Sequence, residues 1–169
     1  DMLASGLEAK ERADMLVKYV DALLELYPSC KAVVFGPSHK FLSRESIENH
    51  SDKAVTRFIY YAVNVRYFSI QGTEDMIVDS LGMSTLFLPD VQYHFHGMNP
   101  DEVVNHAYSV LYYIFEHDNP IGDGETIAGL ENGDMSPDIQ WKVQYEDSLI
   151  QPVREVLDIN MGEYASGTR

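Results

Sequence analysis

Over residues 7–27 apolar side chains recur at helical spacing. Leu7, Met15, Leu16, Tyr19, Val20, Leu23, Leu24 and Leu26 fall largely at i, i+3 and i+4, with Glu8, Lys10, Glu11, Asp14, Lys18, Asp21 and Glu25 between them. The pattern predicts an amphipathic helix stopped by Pro28. Residues 31–36 form a short apolar run with β-branched members and read as a buried strand bounded by Gly36–Pro37. Ser43, Ser46 and Ile47 offer a short helical turn. From 58 to 70 the chain is rich in Tyr, Phe and Val. Ile59, Tyr61, Val63, Val65 and Tyr67 share one parity, while Tyr60, Ala62 and Phe68 hold the other. With both faces partly apolar, the stretch reads as a long central strand or a strand entering a hairpin.

A turn centred on Gly72 leads to a strand over 76–81 that pairs back on its predecessor. Gly82 and Pro89 bracket 83–88, which reads as strand or short helix. Val91, Tyr93 and Phe95 alternate with Gln92, His94 and His96, predicting a strand with one polar face. The next helix is the best marked in the chain. Asn99 suits the N-cap, Pro100 the first helical position, and Asp101 and Glu102 the positive helix end. Val103, Val104, Ala107, Tyr108, Leu111, Ile114 and Phe115 form its apolar stripe, and Asn119–Pro120 ends it. Gly122-Asp123-Gly124 is a turn, and Thr126–Ile127 begins a strand. Residues 128–137 read as a mobile loop. Ile139, Trp141, Val143 and Tyr145 then alternate with polar residues as a strand with one buried face; 153–159 is the last strand and 161–169 a flexible tail.

This order predicts a single α+β domain over 1–169, with a mostly antiparallel or mixed sheet and two main helices packed on one face. The chain is expected to lack a further strand that would precede the first helix. At 169 residues and 45% apolar, the chain can bury a sizeable core. No apolar run is long enough for a membrane span and no signal peptide is evident. The single Cys30 excludes an intramolecular disulfide and favours a cytoplasmic setting. Asp and Glu number 27 against 12 Lys and Arg, a formal charge of −15. Such a chain repels a phosphate backbone, which argues against nucleic-acid binding. The same charge either attracts a basic protein partner or serves solubility. Oligomeric state is not legible.

Three polar groupings are candidates for chemistry. His94 and His96 lie on one side of a strand, roughly 7 Å apart by strand rise. They could share a zinc ion with His106 or Asp90 as third ligand; the alternative is an ordinary polar strand face. Glu102, His106, Ser109, Tyr113 and Glu116 recur every three or four residues, so a carboxylate one turn from a histidine could tune a general base. An amphipathic helix has a polar face in any case. Asp118, Asp123, Glu125 and Glu131 cluster around glycines, but their spacing fails the twelve-residue calcium loop and a hairpin turn explains Gly122–Glu125. Cys30 reads as a packed cysteine. Nothing completes a phosphate loop, a nucleophile elbow, a Cys-x-x-Cys pair or a zincin motif.

The stretches MIVDSLGMSTLFLPDVQYHFHGMNPDEVVNHAYSVLYYIFEHDNPIGDGETI and WKVQYEDSLIQPVREVLDIN resemble the C-terminal portion of a bacterial domain-of-unknown-function family, number 4261. Leu81–Gly82, Leu88–Asp90, the strand at 91–96, the helix at 99–115, Asp123–Ile127 and Val156–Ile159 stand in the family's order. The resemblance implies a bacterial cytosolic protein and supplies no reaction and no catalytic residue. Two functional expectations follow. One is a non-enzymatic acidic domain that binds a basic protein, with an immunity-like, toxin-neutralising role as one form of it. The other is a metal-binding protein or metal-dependent enzyme using His94, His96 and His106, with Glu102 in support. Trp141 is expected to be buried, and Arg154 to pair with a carboxylate such as Glu146 or Asp158.

Overall fold

Pro28 and a break in the apolar stripe end the first helix where periodicity places the end. In the computed structural model, which describes residues 6–50 and 54–167, α1 runs over Ala9–Leu26. The chain divides into two compact units, Asp1–Asn64 with Leu81–Leu88, and Val65–Ser80 with Pro89–Arg169.

In the first unit the buried positions of α1 are Arg12, Ala13, Val17, Val20 and Leu24. Arg12 is tolerated there because its guanidinium donates to Thr85 O at 2.8 Å and stacks over the Phe87 ring. Strand β1 (Ala32–Phe35) pairs with β2 (Lys40–Ser43) as an antiparallel two-stranded sheet. It is not the buried strand its composition suggests: cross-strand partners Val34 and Phe41 are 67% and 66% exposed. Ser43 caps the short α2 (Arg44–Glu48), its Oγ accepting from Ser46 N.

The expected strand over 58–70 is two elements. Helix α3 spans Ala54–Ala62, and only then does β3 (Asn64–Ser69) begin. Phe58, Ile59, Tyr61 and Ala62 are all buried, a set with helical spacing as well as β-type residues. Burial of one helix face outweighs the β preference of aromatic side chains here.

The second unit holds most of a six-stranded open sheet, ordered β3-β4-β5-β8-β7-β6. Its further elements are β4 (Met76–Leu81), β5 (Asp90–Phe95), α4 (Pro100–His117), β6 (Thr126–Glu131), β7 (Asp134–Asp147) and β8 (Glu155–Asn160). The β5–β8 pair is parallel, whereas β4–β5, β7–β8 and β6–β7 are antiparallel, so the sheet is mixed. Asn99 caps α4 as its sequence requires, the side chain accepting from Asp101 N at 3.0 Å. Tyr93, Phe95, Leu111, Ile114, Phe115, Val143, Leu157 and Ile159 build the core. Trp141 joins them at 3% exposure. A Cβ on Gly129 would lie 2.6 Å from the Trp141 ring, so the indole packs where only glycine leaves room.

Residues 128–137 are not a loop. Asn132 and Gly133, with φ of 53° and 87°, form a two-residue turn that joins β6 to β7. Two successive left-handed residues match the twist of a hairpin, and Asn-Gly is the pair that adopts them most readily. The segment expected as a flexible tail is also ordered through Gly167. Met161 is 1% exposed, Ala165 bridges to Phe95, and Ser166 N donates to His94 O at 2.9 Å. Residues 168–169 lie outside the described residues, as do residues 1–5. Among the described residues no helix is long and apolar enough to cross a membrane.

Candidate functional site

The three histidines singled out by the sequence do not converge. In the ladders Ile77 is opposite His94 and Asp79 is opposite Gln92, whereas Val78 is opposite Tyr93. His94 therefore shares a face with Gln92, and Tyr93 points to the other side, where it meets His106 from α4.

His106 is 1% exposed and spends both ring nitrogens inside the fold. Nε2 lies 2.8 Å from Ala128 O, which can only accept, so Nε2 carries the proton. Nδ1 then accepts from the Tyr93 hydroxyl at 2.9 Å. The imidazole is neutral: burial lowers its pKa below the ordinary histidine value, the bond to Ala128 opposing that shift. Burial likewise raises the Tyr93 hydroxyl well above its ordinary value. The Trp141 ring stands 4.8 Å away. Glu102 lies one turn before His106 in sequence, yet its carboxyl sits over the hairpin turn at Gly133. A general-base role for His106 thus lacks both its carboxylate and access to a substrate.

His94 and His96 clasp the C-terminal segment instead. The Ser166 hydroxyl donates to Asp75 Oδ1 at 2.8 Å and so accepts from His96 Nδ1 at 3.0 Å. His94 Nε2 is 3.9 Å from Asp75 Oδ2, and Gly167 lies against its ring. Among the described residues no group of three or more His, Cys, Asp or Glu side chains is placed to hold a metal ion. The zinc set of His94, His96 and His106 loses its geometric basis because His106 meets the opposite face of β5. Asp90 shares the face of His94 but stands four residues along the strand, engaged by Arg154 and Ser80. Cys30 donates weakly to Ala32 O and is half-buried.

The chemistry that sequence reasoning missed is a row of buried polar side chains. Asp79, Gln92 and Asp158 stand opposite one another across β4, β5 and β8, at 0%, 0% and 2% exposure. Asp79 receives Arg66 in two-pronged fashion, Nε to Oδ1 at 2.8 Å and Nη2 to Oδ2 at 2.5 Å. Arg154 adds Nη2 to Asp79 Oδ2 at 2.8 Å and Nε to Asp90 Oδ2 at 3.3 Å. Its partners are therefore not Glu146 or Asp158 but two acids on the neighbouring strands. Ser80 closes the set, its hydroxyl donating to Asp90 Oδ1 at 2.8 Å while accepting from Val91 N. Gln92 donates to Asp158 Oδ1 and accepts from Leu149 N. Arg66 and Arg154 also donate to carbonyls of Ile150, Gln151 and Pro152, so the network straps the loop before β8 to the sheet. Asp79 and Asp90 balance Arg66 and Arg154 in charge, while the third buried carboxylate, Asp158, accepts from the Gln92 amide. The arrangement holds a loop; it presents no free nucleophile or base. One sequence signal could have revealed it: Asp79 interrupts the apolar run Met76–Leu81.

Charge divides unevenly between the units. Of the 27 acidic residues, 18 lie in the second unit against 4 of the 12 Lys and Arg, a formal balance of −14. The first unit has the other 9 and 8, a balance of −1. Not one Lys or Arg occurs between Arg66 and Lys142. Since Asp79 and Asp90 engage Arg66 and Arg154, Lys142 is the exposed cation among the described residues of the second unit.

Residues 79–160 match a family described as a domain of unknown function (DUF4261). The match runs from Asp79 in β4 through β5, α4, β6 and β7 to the end of β8, supporting the resemblance over that stretch. No curated protein and no solved structure matches the chain.

Proposed function

We propose that this chain is a non-enzymatic binding domain whose acidic second unit engages a basic protein partner. The observation that carries the reading is the segregation of charge, −14 in one unit and −1 in the other. Charge kept only for solubility has no reason to collect in one unit, whereas a unit that recruits a cation-rich surface needs its field in one place. The side chains best suited to chemistry support the same reading. His106, Asp79, Asp90 and Arg154 are engaged within the fold, and the acids of the surface remain for recognition. Neutralisation of a basic toxin, and the bacterial cytoplasmic setting that goes with the family resemblance, belong to this proposal.

The test is capture of partners from native lysate at low salt, followed by association kinetics with any basic protein enriched. Association is expected to slow steeply as salt rises. Charge reversal at Glu155 and Glu163 of the second unit should slow it further, while Glu11→Lys in the first unit should leave it unchanged. Enrichment of no basic protein, or kinetics insensitive to salt, overturns the reading.

A further inference from the structure

The sheet ends at β6, which pairs with β7 alone among the described residues. Beyond that outer edge, between β6 and α4, lies a cavity of about 450 Å³. Val110, Tyr113, Ile121, Ile127 and Met135 give it apolar walls, with Glu125 at its rim. Tyr113 and Met135 are about half exposed, at 49% and 47%, so the apolar lining is open to solvent.

The backbone of β6 is equipped for a partner. Val143 bonds towards Gly124 and Glu125, donating to Glu125 O and accepting from Gly124 N. By the alternation of an antiparallel ladder, the N–H and C=O of Thr126 and Ala128 face away from β7. His106 meets Ala128 O on that side, which agrees with this assignment. Thr126 is exposed and carries its outward N–H and C=O beside the cavity.

Two carboxylates at the same end are fixed in place by backbone amides. Glu125 Oε2 accepts from Gly122 N at 2.7 Å and Asp123 Oδ1 from Tyr145 N at 2.9 Å. Both side chains are exposed. Charge selects the occupant: a second copy of a chain at −15 is repelled, whereas a cation-rich segment is drawn in.

Resting on the acidic-binding reading above, we infer that this groove is where the partner docks. The partner contributes an extended segment that lies along the outer edge of β6 and bonds to Thr126. One apolar side chain of that segment enters the cavity, and flanking Lys or Arg residues face Asp123 and Glu125. Main-chain bonds supply affinity without sequence preference, and the cavity and the two acids supply the specificity.

The test is a nitrogen-15 NMR titration of the full chain with the peptide Lys-Val-Lys-Leu-Lys-Val-Lys at low salt, and with Glu-Val-Glu-Leu-Glu-Val-Glu as its opposite. Shifts are expected at Tyr113, Thr126, Ile127, Ala128 and Met135 with the basic peptide and nowhere with the acidic one. Tyr113→Glu, which blocks the apolar wall, and Thr126→Pro, which removes an outward N–H without touching the ladder, should each weaken binding about tenfold. Should one variant fail to fold, the other carries the test. Shifts spread over the acidic surface with neither variant affected overturn the groove and leave the acidic reading standing. Absence of peptide binding, alongside a salt-sensitive basic partner from lysate, also overturns the groove alone. Equal binding of the two peptides overturns the charge basis of both.

Discussion

The two units of this chain handle polar groups in opposite ways. In the first, ion pairs sit at the surface: Lys18 with Asp14 and Arg44 with Glu48 are one-turn helix pairs, and Arg57 meets Asp21 at 2.6 Å with Asp21 43% exposed. Apolar side chains stand in solvent beside them, Tyr19, Val34 and Phe41 all above 60% exposure. In the second unit a carboxylate at 0% exposure receives two guanidiniums, and Lys142 is the exposed cation among its described residues. The contrast teaches that a chain-wide charge of −15 describes neither part. Asp79 and Asp90 are matched by Arg66 and Arg154, and 14 of the 15 net negative charges belong to the second unit.

The sharpest way to break this comparison is to remove the central carboxylate. Asp79→Ala leaves Arg66 and Arg154 without their shared partner and should cost about 3–5 kcal/mol. Urea unfolding followed by Trp141, the chain's single tryptophan and a reporter within the second unit, measures it. A loss under about 1 kcal/mol would mean that the network is as dispensable as a surface pair. Trp141→Ala should cost a similar 3–5 kcal/mol by calorimetry, because the indole is nearly fully packed. Unchanged thermal stability would show that the core lies elsewhere.

A somewhat smaller effect is expected at His106. His106→Phe strands Ala128 O and the Tyr93 hydroxyl, at about 2–4 kcal/mol for the two. It should also change the pH profile. The folded pKa of His106 is lowered, so near and below the ordinary value of 6.5 the unfolded chain binds the proton more readily. The contribution of His106 to stability is complete above that value and is lost progressively as pH falls below it. The Phe variant should lack this component of the acid loss; a profile identical to wild type would contradict the neutral tautomer assigned here. The smallest effect closes the comparison. Asp21→Ala in the first unit should cost under about 1 kcal/mol by calorimetry, since solvent screens a pair whose acid is nearly half exposed.

Local rules were readable in the sequence wherever one face of one element decided the outcome. Asn99 and Pro100 place the start of α4, and the alternation around Trp141 places β7 and its buried face. Reading failed where distant groups decide. The even-numbered face of β5 looks solvent-directed because Gln92 and His94 are polar; it is covered because partners arrive from residues 149, 158 and 166. Arg154 has acids close by in sequence, yet its carboxylates are 75 and 64 residues away. The aromatic run at 58–62 carries strand propensity and helical spacing together, and packing selects the helix. Asn132–Gly133 is a different case: a local turn signal set among other Gly, Asn and Asp residues, whose composition resembles a loop. The family resemblance over 79–160 was legible; the groove beside β6 was not, since nothing in a linear pattern says which strand ends a sheet.

The parallel pairing of β5 with β8 also sets a timetable. A ribosome delivers β5 long before its neighbour, and the hairpin of β6 and β7 is made in between. Until β8 emerges, one edge of β5 stays open and Asp79 and Asp90 await Arg154. Assembly of the second unit is therefore a late, long-range closure around an early local hairpin. Quenched-flow hydrogen exchange should show amides of β6 and β7 protected before those of β5 that bond to β8, and protection of these β5 amides first would reverse that order.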